Sequence, residues 1–184
     1  MQGDVRRTRD TICAARTLIC ALLLAGLLSG SGLAESAPTT TKKLPLINRL
    51  APEIARRDLS GSRLDLKRFR GEVVLLNFWA TWCAPCLVEM PVFAAWQRQF
   101  GPDGFQTIGI SMDDDAAPAR ELVSKLKLNY PVAMGDARLG ERYGGVLGLP
   151  LTLLVDRNGM VRARFQGETD LETIEKQVRM LLAK

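Results

Sequence analysis

Histidine is absent from the 184 residues, and that absence excludes more chemistry than any other feature of the composition. It removes imidazole acid-base catalysis, serine-histidine and cysteine-histidine nucleophile pairs, and the usual zinc, copper and iron centres. Cysteine, carboxylate, lysine and backbone are what remain. Cysteine is itself scarce: the chain has four, Cys13, Cys20, Cys83 and Cys86. No large excess of one charge exists either. Lysine and arginine number 25 against 20 acids. Arg6, Arg7, Arg9 and Arg16 set against Asp4 and Asp10 leave 21 basic and 18 acidic residues over 35–184. So small an excess, without a long basic block, argues against a nucleic-acid partner. Internal repeats and low-complexity stretches are also missing. At 47% hydrophobic, the chain can bury one domain's core with some length left over.

What is present begins with an address. The four N-terminal arginines precede an apolar run from Leu18 to Leu28, followed by Ser29-Gly30-Ser31-Gly32-Leu33-Ala34. A positive region, a short apolar region and small residues suited to cleavage after Ala34 describe a secretory signal over residues 1–34. The alternative is a retained membrane anchor, because Thr17 to Leu33 reaches the short edge of a bilayer span. The Arg6-Arg7 pair lacks further support for twin-arginine export. Neither Cys13 nor Cys20 follows the small residues of a lipoprotein site. Residues 35–50, rich in Ser, Pro, Thr and Lys, are expected to form a flexible linker. Cleavage would remove Cys13 and Cys20 and leave Cys83 and Cys86 in an exported protein. A disulfide between them closes almost no loop, so its purpose is not stability.

Over 51–184 short apolar segments alternate with helical patterns. Ile54 to Asp58 and Arg63 to Leu66 flank Leu59-Ser60-Gly61-Ser62 as an N-terminal β-hairpin. Glu72 to Trp79 is apolar on both faces, as a strand covered on both sides must be. A helix is expected from about Pro85 to Phe100, a strand over Phe105 to Met112, and a helix opened by Asp113-Asp114-Asp115, the acids serving as its cap. Tyr130 to Met134 and Leu151 to Asp156 read as strands, with a helical turn between them at Arg138 to Tyr143. Arg157-Asn158-Gly159 turns into Val161 to Phe165. An amphipathic helix carrying Leu171, Ile174, Val178, Leu181 and Leu182 inward closes the chain. This order predicts an α/β fold: a mixed central sheet with helices on both faces.

Trp82-Cys83-Ala84-Pro85-Cys86 falls where the buried strand hands over to the first long helix. Thiolate is the nucleophile, and backbone N–H groups with the dipole at a helix start lower a cysteine pKa. Cys83 is thus expected to be the exposed attacker. Cys86, one turn further in, resolves the mixed disulfide. Pro85 suits an early helical position, where its missing N–H costs little. No second Cys/His pair exists to complete a zinc site, and no cofactor or metal is expected.

The run Asn77-Phe78-Trp79-Ala80-Thr81-Trp82-Cys83-Ala84-Pro85-Cys86, with Glu89, Pro91 and Gly148-Leu149-Pro150, resembles the thioredoxin superfamily, specifically its TlpA/ResA-type extracytoplasmic branch. The likeness covers about residues 51 to 184. It implies a thioredoxin-like fold and a thiol-disulfide oxidoreductase, periplasmic or otherwise extracytoplasmic. Implied partners are protein thiol or disulfide substrates, with a membrane thiol reductant as electron donor. The resemblance further implies that Pro150 is a cis-proline facing the disulfide, that the backbone of Leu149 pairs with a substrate strand, and that Glu89 tunes the cysteines. Without it, Pro150 is an ordinary loop proline and Glu89 a helix-surface carboxylate. Two departures stand out. Asn77 occupies the place of the buried aspartate of thioredoxins proper and cannot titrate, which leaves Glu89 for proton transfer. Leu151 follows Pro150, where the cytochrome c maturation branch has Glu. Trp79 is expected in the core and Trp82 at the rim, touching a partner.

The absence of histidine between the cysteines favours a reductase over an oxidase. Oxidase or isomerase activity, or a client-binding chaperone for cytochrome c or copper-site maturation, remain as alternatives. CxxxC-plus-histidine metal carriage fails for want of both elements, and a peroxidase is disfavoured because Phe78 stands five residues before Cys83.

Overall fold

The computed structural model describes residues 46–184; the expected signal or anchor segment and most of the expected linker lie outside them. Among the described residues no helix is long and apolar enough to cross a membrane. The elements, in order, are β1 (Ala55–Arg57), β2 (Arg63–Asp65), β3 (Val73–Trp79), α1 (Ala84–Phe100), β4 (Phe105–Ser111), α2 (Ala116–Lys125), β5 (Val132–Met134), α3 (Ala137–Arg142), β6 (Leu151–Val155), β7 (Val161–Gln166) and α4 (Leu171–Leu182). β1 and β2 form a separate antiparallel ribbon. The other five strands make one sheet in the order β5-β4-β3-β6-β7. β3, β4 and β5 run parallel, while β6 and β7 are antiparallel to their neighbours.

β3 is central because it can be nothing else. All seven of its residues are buried, and a strand apolar on both faces is stable only when both faces are covered. Val73, Leu75 and Trp79 join Cys86, Met90 and Phe93 of α1 and Ile174, Val178 and Leu181 of α4. Val74, Leu76 and Phe78 face the other way, against Ile54, Leu64, Leu139 and Tyr143. The mixed sheet with helices on both faces is therefore as the sequence suggests, and the boundaries of the five sheet strands shift by only one or two residues.

Three helices begin on an aspartate that satisfies an otherwise unpaired amide. Asp115, Asp136 and Asp170 accept from Ala117, Leu139 and Thr173 N–H respectively. α1 differs: its first turn, after Cys83, has no side-chain cap.

Residues Leu46 to Leu50 were expected to belong to the linker but are part of the folded unit. Asn48 N–H donates to Val161 O at 2.8 Å, Val161 N–H to Arg49 O at 2.8 Å, and Ala51 N–H to Gly159 O at 2.9 Å. The physical reason is that the β6–β7 turn leaves strand groups open to pairing. Gly159, at φ +77°, makes that turn, and Asp156 accepts from the N–H groups of Asn158 and Met160 at 3.0 and 2.9 Å.

The end of the sheet away from Cys83 is cinched by one guanidinium. Arg157 donates to Gly71 O at 2.7 Å, Asp103 O at 3.2 Å and Leu182 O at 3.3 Å, tying three chain segments. Arg157→Ala is expected to lower the unfolding free energy by about 1–2 kcal/mol with an unchanged urea m-value. Arg63→Ala, which removes an exposed ion pair to Asp65, should stay within about 0.5 kcal/mol of the parent.

Candidate functional site

β3 ends at Trp79, and α1 starts at Ala84, so the four residues between must cross from the sheet to a helix packed on its face. The crossing is braced from β4. Asp113 accepts from Thr81 N–H at 3.0 Å and from Thr81 Oγ1–H at 2.7 Å, and it is itself held by Ser111 Oγ–H at 2.8 Å. The acidic triplet thus splits its duties: Asp115 caps α2 as expected, whereas Asp113 fixes the approach to the cysteines. The sequence could not show this, because it depends on the β3–β4 register that sets Trp79 opposite Ser111.

Cys83 and Cys86 form a disulfide across the first turn of α1, with Cα atoms 5.3 Å apart. Cys83 was expected to be exposed, but in this oxidised form it is only 5% exposed; Cys86 is fully buried. Both belong to the buried cluster that includes Trp79, Ala80 and Met90, and of the two only Cys83 keeps any exposure. The uncapped N–H groups of the first turn lie where a Cys83 thiolate would form. Such groups, with the dipole, favour an anion there. Trp82 projects into solvent at 72% exposure while Trp79 is buried, as the sequence suggests for rim and core.

Glu89 follows Cys86 by one helical turn on the same face, and is 4% exposed, not a surface carboxylate. Its Oε2 has no hydrogen-bond partner. Burial, with a smaller contribution from the charge of Glu168, raises its pKa from 4.5 to about 7. A carboxyl poised there can take or give a proton near neutrality. Asn77 is also buried. Its Nδ2 donates to Thr152 Oγ1 at 2.9 Å, joining β3 to β6, so it acts as a cross-strand tie.

The Leu149–Pro150 peptide is cis. Phe78 pairs with Leu151, so Pro150 comes to the same end of the sheet as Trp79 and the cysteine crossing. Pro150 is buried and Leu149 half-buried. The strand opposite runs one residue past the expected Phe165: Gln166 pairs with Leu151, and Gly167 N–H, which the sequence did not point to, donates to Pro150 O at 2.8 Å. Hence the site residues named from sequence (Trp82, Cys83, Cys86, Glu89, Leu149 and Pro150) lie at one end of the sheet, with Gly167 added.

Comparison with known proteins gives the same picture. The Redoxin family pattern matches residues 38–180. The thiol-disulfide oxidoreductase ResA of Bacillus thuringiensis subsp. konkukian is 32% identical over 135 residues, covering 73% of this chain and 78% of that one. The thiol:disulfide interchange protein DsbE of Vibrio cholerae is 31% identical over 173 residues, covering 91% of each. Among solved structures, the thioredoxin domain of a thiol-disulfide oxidoreductase from Bacteroides vulgatus superposes with a TM-score of 0.63 at 28% identity, over 72% of this chain and 97% of that one. The fold is thioredoxin-like.

Two outcomes follow from this geometry. The unfolded chain ionises Glu89 near 4.5 and the folded chain near 7, so the oxidised protein loses stability as pH rises between those values and is level above them. Glu89→Gln should abolish that loss, gaining roughly 1–3 kcal/mol over the parent at pH 8 and nothing at pH 4 in urea unfolding. Asp113→Ala should lower the rate of thiol exchange roughly tenfold by freeing Thr81 and the crossing, read by stopped-flow with a small disulfide.

Proposed function

Since the chain belongs to the Redoxin family and is a thiol-disulfide oxidoreductase, we propose that it reduces protein disulfides outside the cytoplasm, with Cys83 attacking and Cys86 resolving. The observation that carries this reading is the buried Glu89 carboxyl, partly unpartnered, one turn behind a cysteine that no client can reach.

In the reduced form Cys83 is held as a thiolate by the open first turn of α1. It attacks one sulfur of a client disulfide; the new Cys83–client bond forms, the client S–S bond breaks, and one client thiolate departs. Glu89 in its ionised form takes the proton of Cys86. The Cys86 thiolate then attacks Cys83 Sγ, the Cys83–client bond breaks, and the second client thiolate leaves. Two electrons have passed from the dithiol to the client, and the Cys83–Cys86 disulfide is the product. An external dithiol, in our reading a membrane thiol reductant, returns the pair to the reduced form. Trp82, Leu149 and the cis-Pro150 segment supply the platform across which the client lies, the exposed indole as an apolar contact. The reductive direction is favoured by the lack of a histidine between the cysteines, which would stabilise the thiolate and make the pair strongly oxidising. Export is favoured by the N-terminal address, whether cleaved after Ala34 or kept as an anchor.

Cys86→Ser should stall the reaction as a Cys83–client mixed disulfide, recoverable from the native compartment and identified by mass. Recovery of no such species would count against catalysis on protein thiols. The reduction potential should lie nearer about −270 mV than the about −120 mV of a strong oxidant; a value at the upper end would reverse the direction. Glu89→Gln should slow resolution by at least about tenfold while leaving the first attack intact, which separates proton transfer from structure.

A further inference from the structure

At the disulfide mouth, the segment joining β7 to α4 carries a carboxylate that the exchange steps do not use. β7 ends at Gln166, opposite Leu151, and Gly167 N–H is bonded to Pro150 O at 2.8 Å. Gly167 has φ +77°, with nothing within 4 Å of the place a Cβ would take; the left-handed turn, not crowding, calls for glycine there. That turn and that hydrogen bond fix where the chain leaves the strand. Glu168 comes next, exposed, beside the cis Leu149–Pro150 peptide. Asp170 then caps α4 through Thr173 N–H at 2.9 Å, so the short segment is held at both ends.

No cation neutralises Glu168: it forms no ion pair among the described residues. Arg164, two positions before Gln166, is occupied with Gln166 Oε1 at 2.6 Å and Gly145 O at 3.2 Å. Behind Glu168 lies the buried Glu89, with its Oε2 unpartnered and close enough to feel the charge of Glu168. Two apolar side chains are exposed on this side, Trp82 at 72% and Leu147 at 90%, and the pocket that Leu147 lines also holds Asp113, Asp114 and Glu141. An exposed carboxylate with no ion-pair partner attracts a passing cation and repels an anion.

We infer that Glu168 is a specificity-determining residue of the exchange site, selecting disulfides whose attacked cysteine is flanked by lysine or arginine. The inference rests on Cys83 attacking client disulfides, as proposed above. A client crossing the platform to bring its sulfur to Cys83 passes the Pro150 carbonyl and Gly167, so the residues beside its cysteine come within reach of Glu168. The selection acts on encounter and docking, and is carried by kcat/KM and KM, with kcat unchanged.

The test uses three peptide disulfides that differ only in the residues beside the cysteine: lysine, glutamine or glutamate. The wild type, in its reduced form at low salt, should react roughly five- to tenfold faster with the lysine peptide than with the glutamate peptide. The ratio should shrink toward one in about 0.5 M salt. Glu168→Gln should bring the ratio below about two, and Glu168→Lys should invert it. The rates compared are those of the first attack by Cys83, which does not involve Glu89; on that step the glutamine peptide should react alike with all three proteins, which shows that the fold and the attacking sulfur are intact. An unchanged ratio in Glu168→Gln, or no charge preference in the wild type, overturns the inference and leaves the exchange reading standing. Failure of the wild type to react with any of the peptides sinks the exchange reading, and the selectivity with it.

Discussion

A strand that must be buried on both faces can deliver its end to only a few places, and in this protein that constraint sets the whole site. β3 lies between β4 and β6, with helices covering one face and the ribbon and α3 the other. It therefore ends at one pole of the sheet, and the next helix must start there. Because α1 opens on Cys83 and not on an aspartate, its free amides are left facing sulfur. Asp113 then removes the remaining freedom by clamping Thr81. Each later feature presupposes this handover: the depth of Cys86, the position of Glu89 and the meeting with the cis peptide.

The same logic explains why parts of the molecule were legible in the sequence and parts were not. Val73 to Trp79 announced itself because seven consecutive apolar or small-amide side chains admit no solvent-facing reading. The terminal helix was equally plain: Ile174, Val178 and Leu181 recur at helical spacing and are its buried residues. The depth of Glu89 was harder. A carboxylate in an early helical turn usually points to water, and only its three-residue offset from Cys86 hinted that it shares the buried face. Asp113 and Gly167 were illegible for a different reason. Their partners, Thr81 and Pro150, are 32 and 17 positions away and come into range through strand register, which no local pattern encodes. The pairing of residues 46–50 with the β6–β7 turn was missed because the polar composition of the stretch suggested a tether, whereas main-chain hydrogen bonds are indifferent to side-chain polarity.

Two buried polar side chains near the cysteine crossing, Asn77 and Glu89, are held differently. Asn77 spends its amide on Thr152, welding β3 to β6 without any titration. Glu89 has no such cross-strand tie; its Oε2 lacks a partner, as Asn77 Oδ1 does, which costs stability, and burial raises its pKa to about 7. In the proposed scheme the titrating carboxyl sits on the helix, one turn after Cys86, and the strand position held by Asn77 serves only as a tie.

The contrast in accessibility between the two sulfurs carries a consequence for fidelity. A dithiol open at both atoms could be drained by any small oxidant that collides with it. Here, in the disulfide form, Cys86 is fully buried and Cys83 keeps 5% exposure. On the exchange scheme proposed above, this sets an order: a client bonds first to Cys83 and is then released by Cys86. On that scheme the depth of the inner sulfur restrains leakage to bystander molecules, before any question of redox potential arises.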